Sequence, residues 1–170
     1  NKKVYIDTLT GVNNRRYYEE QLRELSGVDA VLFADVDKFK NVNDLYGHQT
    51  GDMVLRLIAD AICSSVRKSD SVVRYGGDEF IVLCKNISEK DVEAKLNRIV
   101  DEMSTTRHGG GRDIVFSISA GYVMVTEQGT DFDGLYHKAD VALFAAKMYS
   151  KCTFRKYDAS MKTIRIELAK

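Results

Sequence analysis

The chain has 170 residues, 44% of them hydrophobic and 29% charged, enough for one domain with its own core and cramped for two. Its 25 basic and 25 acidic residues cancel, which argues against a general nucleic-acid binder, since such proteins carry a strong basic excess. No apolar run approaches the length of a membrane span, and no signal peptide opens the chain.

The cysteines Cys63, Cys84 and Cys152 are odd in number and widely spaced, which speaks against a disulfide framework or a zinc site. Cys63 and Cys84 lie among apolar residues and are expected as core thiols, consistent with a reducing cytoplasm. His48, His108 and His137 are scattered and form no metal or catalytic pattern.

In chain order, NNRRYYEEQLREL carries Tyr18, Leu22 and Leu25 at helical spacing and stops at Gly27. DAVLFADV is a nearly continuous apolar run, the mark of a buried strand. A short helix is expected from Lys38 to Tyr46, ended by Gly47. A longer one follows from about Gly51 to Arg67, with Val54, Leu57, Ile58, Ala61 and Ile62 on one stripe. Ser71–Tyr75 and Glu79–Cys84 flank a glycine turn and predict a hairpin. Ser88, with Asp91 three residues on, starts the next helix, whose buried face is Val92, Leu96 and Ile99. DIVFSISAGYVMV predicts a long strand, DGLYHKADVALFAAKMYS an amphipathic helix and CTFRKYD a last strand.

This order predicts an α+β domain built on the split βαβ (ferredoxin-like, βαββαβ) pattern, with a mostly antiparallel sheet, helices covering one face, and extra terminal elements. Residues 1–158 are expected to form the domain and 159–170 a C-terminal tail or linker helix.

Two acidic stretches bear on function. Asp35 and Asp37 lie at the carboxyl end of the first long strand, and Asp78 and Glu79 at the hairpin turn. A split βαβ sheet makes these neighbours, and converging carboxylates repel one another unless a cation intervenes. Hard oxygen ligands of this kind suit magnesium, which binds together with substrate phosphates. Gly76 and Gly77 are expected to supply the positive φ of a tight turn and to let a bulky ligand approach the backbone. On the hairpin alone, an ordinary surface turn with an acidic tip is the better reading; the second acidic stretch brings the two readings level.

RYGGDEF, taken with DVDKFKNVNDLYGHQTGD, resembles the GGDEF family of bacterial diguanylate cyclases. DTLTGVNNRRYY, SISAGY and ADVALFAAK match further segments of that family in order, so the resemblance runs from about Asp7 to Lys151. It implies a cytoplasmic enzyme that condenses two GTP into cyclic di-GMP and pyrophosphate, each 3′-hydroxyl attacking the other GTP's α-phosphate where two domains meet as a homodimer. By motif position, Asp35, Asp78 and Glu79 would be catalytic. Asp35, the Val36 carbonyl, Asp78 and Glu79 would hold Mg2+ (or Mn2+). Asn43 and Asp52 would read guanine beside Phe39, and Lys40, Lys147, Lys151, Gly76 and Gly77 would face the rest of the nucleotide. Lys151 stands where the family usually has Arg, and Ser150 where it usually has Gly; Lys lacks the bidentate fork for phosphate.

In RKSD, Arg67 and Asp70 form at first sight a capped helix end with an i, i+3 ion pair. The resemblance implies instead an inhibitory site for cyclic di-GMP, completed by Arg98. HGGGR looks like a phosphate cradle but joins a helix to a strand, so a flexible connector is expected there. The rival function is a non-catalytic GGDEF receptor that binds GTP or cyclic di-GMP within a larger signalling protein; Asp78 and Glu79 favour the enzyme. Neither reading gives the domain a nucleic-acid partner or a membrane span of its own.

Overall fold

The computed structural model describes residues 2–21, 27–105, 107–109, 111–125, 132–149 and 153–161. Expectations for Leu22, Leu25, Lys151, Cys152 and most of the tail lie outside the described residues.

The apolar run becomes β2 (Val28–Val36), the central strand, buried on both faces for most of its length. It pairs antiparallel with β4 (Glu79–Lys85) on one side and with β7 (Ile118–Met124) on the other. β3 (Ser71–Arg74) pairs antiparallel with β4, giving the split βαβ core order β3-β4-β2-β7. Two short parallel strands, β1 (Asn13–Asn14) against β3 and β8 (Phe154–Lys156) against β7, extend this to six strands. The α+β fold expected from the element order is the one observed.

Five described helices flank the sheet: α1 (Arg15–Gln21), α2 (Phe39–Tyr46), α3 (His48–Ser65), α4 (Glu89–Met103) and α5 (Phe132–Tyr149). They cover both faces, not one. Leu32, Ala34, Phe80, Val82 and Ile118 pack with α3 and α4 through Ile58, Ile62, Leu96 and Ile99. The alternate residues Val31, Phe33, Ile81, Leu83 and Val123 pack with Tyr18 of α1 and Leu135, Ala139 and Leu143 of α5. The run Ala30–Ala34 is apolar at consecutive positions and so has two faces to bury, and each fully buried large side chain stabilises by about 1.5–3 kcal/mol. α5 lies directly on Gly121 of β7, where a Cβ would stand 2.5 Å from the Ala139 carbonyl oxygen.

Ser88 caps α4 as expected, its hydroxyl accepting the Asp91 N–H at 3.2 Å. Three local expectations change. Cys84 is buried, but Cys63 is exposed, because it falls off the α3 stripe that Ile58, Ala59 and Ile62 share. HGGGR is no loose connector: Arg107–Gly109 (β5) and Arg112–Ile114 (β6) form a two-stranded hairpin, with Gly111 at φ 79°. The long strand expected at 113–125 is therefore split between β6 and β7. Arg112 anchors the hairpin by donating to the Leu45 carbonyl at 2.8 Å, its guanidinium over Tyr46. Among the described residues no helix is long and apolar enough to cross a membrane.

Candidate active site at the hairpin turn

The site is assembled by strand register. Asp35 of β2 sits directly opposite Glu79 of β4, so the first strand's end meets the start of the hairpin's second arm. Both follow the parity of Phe33 and Ile81 and therefore point to the α5 face. Lys147, in the last turn of α5, reaches down to them. Its Nζ donates to the Val36 carbonyl at 3.2 Å, ion-pairs with Asp35 Oδ1 and lies 3.9 Å from Asp37 Oδ1. Phe33, Asp35, Glu79, Tyr136, Asp140 and Lys147 line a cleft of about 350 Å³.

Crowded acids in a half-buried cleft resist ionisation. Burial pushes Asp35 up to about 7 against the pull of Lys147, and the nearby charges of Asp78 and Asp37 add to the rise. Asp78 is raised by burial, although Lys147 and the N–H groups of Val36 and of Asp78 itself oppose this. Glu79 is raised by burial, then by Asp78 and Asp140. Asp37 serves the fold: the hydroxyls of Ser117 and Ser119 donate to it at 2.6 and 2.7 Å, tying the end of β2 to β7. Sequence reasoning reaches this acid but misses its partners; the serines of SISAGY and of the turn before it are the available signal.

Gly76 and Gly77 are not in the positive-φ region, contrary to expectation. The turn is wider than a two-residue hairpin loop, with the Tyr75 and Gly76 N–H groups both directed at the Glu79 carbonyl at 2.8 and 3.5 Å. Gly76 instead leaves room for the Glu79 carboxylate in its observed position: a Cβ there would stand 2.7 Å from Glu79 Oε1 and push it aside. Gly77 has open space around it. Its carbonyl accepts from Arg74 Nε and Nη2 at 3.1 and 2.7 Å, and Arg74 Nη1 reaches Asp7 Oδ1 at 3.1 Å. The chain's opening DTLT segment is thereby bonded to the acidic turn.

Beyond β2, Lys38 turns the chain in the left-handed region (φ 49°) and starts α2 with no side-chain cap. The Asn41 and Val42 N–H groups turn back to the Lys38 carbonyl, so only the first two N–H groups of α2, those of Phe39 and the exposed Lys40, are offered to an outside acceptor. Phe39 and Asn43 meet α3 at Gly51, where a Cβ would collide with Asn43 Oδ1 and lie 3.4 Å from Phe39 Cζ. Asp52 is exposed one residue further on. The structure thus packs Phe39 and Asn43 of α2 against α3 at Gly51, with Lys40 and Asp52 exposed at adjoining chain positions, while Asp35, Val36, Asp78, Glu79 and Lys147 gather at the acidic cleft.

The second set stands apart. Arg67, Asp91, Lys95 and Arg98 line a separate cavity of about 330 Å³. The expected Arg67–Asp70 ion pair is replaced by backbone bonds. Arg67 Nη2 donates to the Lys85 and Asn86 carbonyls at 2.7 Å each, and Asp70 accepts the Arg67 and Lys85 N–H groups at 2.9 and 3.0 Å. Both oxygens of the half-buried Asp70 carboxylate are already taken by main-chain N–H groups, and the guanidinium satisfies the two carbonyls at and just past the end of β4 instead.

Among the described residues, no three His, Cys, Asp or Glu side chains stand close enough to cage an ion by themselves. The donors nonetheless fit a hard cation that keeps waters and phosphate ligands: the Asp35 carboxylate, the Val36 carbonyl and Glu79 across the ladder. Asp35 Oδ1 is buried and, although paired in charge with Lys147, accepts no well-directed hydrogen bond.

Comparison with known proteins identifies the family and the fold. A family model described as "Diguanylate cyclase, GGDEF domain" matches residues 4–151. Diguanylate cyclase DosC of Escherichia coli K12 is 37% identical over 168 residues, covering 94% of this chain and 36% of DosC. Cyclic di-GMP phosphodiesterase PdeR of the same strain is 34% identical, over 83% of this chain and 22% of PdeR. The chain thus spans about a third or less of these two relatives. The solved GGDEF domain of TpbB (YfiN) from Pseudomonas aeruginosa superposes with a TM-score of 0.85 at 34% identity, covering 95% of this chain and 99% of that one. The GGDEF domain of DgcB from Caulobacter crescentus, solved in complex with c-di-GMP, superposes with a TM-score of 0.82 at 26% identity, covering 92% and 94%. The chain belongs to the GGDEF domain family.

Proposed function

We propose that this domain is a diguanylate cyclase unit that holds one GTP and, paired with a second copy, condenses two GTP into cyclic di-GMP and pyrophosphate. The observation that carries the reading is the Asp35–Glu79 register pair beside the Val36 carbonyl, at the mouth of a cleft that Lys147 enters. Both hairpin acids are present, as the chemistry requires.

Asn43 and Asp52 supply the donors and acceptors that match guanine's edge, and Phe39 packs beside Asn43 against Gly51. The uncapped start of α2, with Lys40, faces the triphosphate; Lys147 adds positive charge from the far side, and Lys151 is a further positive charge for the phosphates. Gly76 keeps the hairpin backbone open to the nucleotide, and Gly77 leaves room beside it. Glu79, kept basic by burial, accepts the proton of the attacking 3′-hydroxyl, while Asp35 and Asp78 fix the phosphate-side geometry. Asp35, the Val36 carbonyl, Asp78 and Glu79 would hold magnesium or manganese, which would supply charge neutralisation at the phosphoryl group. Arg67, Asp70 and Arg98 form a site for the product; once drawn off the Lys85 and Asn86 carbonyls, Arg67 suits bidentate phosphate contact.

The test is GTP with magnesium over a series of protein concentrations, product identified chromatographically, with Asp78→Ala as control. Cyclic di-GMP formed with greater than first-order dependence on protein, and lost in the control, supports the cyclase. No product even when the domain is fused to a dimeric coiled coil overturns it. The receptor reading then leads, favoured by Lys151 in an arginine's place and by the relative named as a phosphodiesterase.

A further inference from the structure

The Lys147 ammonium occupies the position where the proposed cation's oxygens converge. It donates to the Val36 carbonyl at 3.2 Å, pairs with Asp35 Oδ1 and sits 3.9 Å from Asp37 Oδ1. A carboxylate with an adjacent main-chain carbonyl is the donor set of a hard cation, and here a side chain of the same molecule takes it. We propose that Lys147 is a tethered cation that holds the metal's oxygens in the nucleotide-free domain and surrenders them only when a triphosphate arrives to receive it, so that metal and nucleotide load together.

The inference rests on the metal-site reading above. An ammonium and a divalent ion cannot share two oxygens a few ångströms apart, because their repulsion in a half-buried cleft is far greater than in water. Lys147 must therefore leave before a metal enters. It can: its side chain is 29% exposed, anchored in the last turn of α5, with a four-carbon stem free to swing along the cleft. In the nucleotide-free cleft, leaving Asp35 costs the lysine a partly buried partner, so metal alone binds weakly. A bound triphosphate offers the ammonium a new anion and removes that cost. By linkage, metal then strengthens nucleotide binding by the same factor. Lys40 is the contrasting lysine: it is exposed on α2 and touches neither Asp35 nor Val36.

The test titrates nucleotide-free protein with Mn2+, read by electron paramagnetic resonance of the free ion, and repeats it with a non-hydrolysable GTP analogue. Lys147→Met should bind Mn2+ alone about tenfold tighter than the native domain, within the range usual for linked sites. The gain produced by the analogue should shrink by a similar factor. Lys147→Arg, which keeps the charge, should stay near native, and Lys40→Met should weaken the analogue without tightening Mn2+ alone. Lys147→Gln repeats the test with a polar side chain if the methionine variant folds poorly. Mn2+ binding to Lys147→Met and Lys147→Gln no tighter than native, or equal tightening by Lys40→Met, overturns the proposal. Asp35→Asn separates the two readings. If it abolishes Mn2+ binding, the metal site stands and the Lys147 variants decide. If it leaves binding unchanged, the metal site falls and the tether with it.

Discussion

Gly121→Ala should destabilise the domain through a collision that has nowhere to go. The new Cβ would stand 2.5 Å from the Ala139 carbonyl oxygen and 2.7 Å from the Ala142 carbonyl carbon, and would press on the Leu143 N–H. All three are backbone atoms of α5, so no side-chain rotation relieves them. Restoring an ordinary contact of 3.4 Å requires α5 to back away from β7 by about 1 Å, which loosens Leu135, Ala139 and Leu143 in the core they share with the sheet. Overpacking of this kind costs about 1–3 kcal/mol, and a whole helix must move here, so the upper end applies. The reduced freedom of the unfolded chain offsets roughly 0.4–1 kcal/mol, leaving a net loss of about 2–3 kcal/mol. In urea, with a slope of about 1–3 kcal/mol per molar, the midpoint should fall by about 1–2 M with little change in slope. Gly77→Ala, placed in open space, is the matched control and should barely move it. A Gly121→Ala midpoint indistinguishable from native would refute the claim that α5 rests on bare backbone.

The acidic cleft predicts a pH dependence of known sign. Asp35 rises from 3.8 to about 7 on folding, so between those values the folded state holds the proton that the unfolded state releases. Its contribution to stability is therefore present at low pH and lost as pH climbs towards 7 in metal-free protein. Asp35→Asn should flatten urea midpoints measured from pH 5 to pH 8, though not abolish the slope, because Asp78 and Glu79 are raised as well. Equal slopes in both proteins would contradict the cleft's electrostatics. Gly51→Ala should separate fold from function: the colliding atom is the movable Asn43 amide, so the urea midpoint should shift little. GTP binding, followed by calorimetry with Mn2+, should weaken about tenfold or more if, as proposed, the displaced Asn43 amide faces guanine. Unchanged GTP affinity would remove Asn43 from the base site.

Much of the fold was legible because its signals are local. The nearly continuous apolar run of β2, the α3 stripe and the Ser88 cap each specify their element from a few adjacent residues. The acidic pair was legible because the split βαβ order makes β2 and β4 neighbours. What escaped depends on distant contacts. That α1 and α5 would close the second face follows from the run Ala30–Ala34 in β2 being apolar on both faces, yet periodicity within a helix does not say which side of a sheet it joins. The need for Gly76 arises from the Glu79 carboxylate and not from backbone φ, and Gly51 from the Asn43 side chain, neither of which a turn rule encodes. Arg67 could pair with Asp70 or with the carbonyls at the end of β4, and only the folded geometry puts those carbonyls within reach.

The cross-strand pairing of Asp35 with Glu79 also makes folding and competence a single event. Side chains alternate between faces, so shifting β4 by one residue against β2 would turn Glu79 towards the apolar layer of Leu96 and Ile99 and bring Phe80 out beneath α5. Such a chain would bury a carboxylate among hydrocarbons and expel an aromatic ring from its packing, at a cost comparable to the whole margin of stability. The hydrophobic effect thereby proofreads the chemistry. A molecule that has completed its core has already aligned its acids, and one that has not is too unstable to persist.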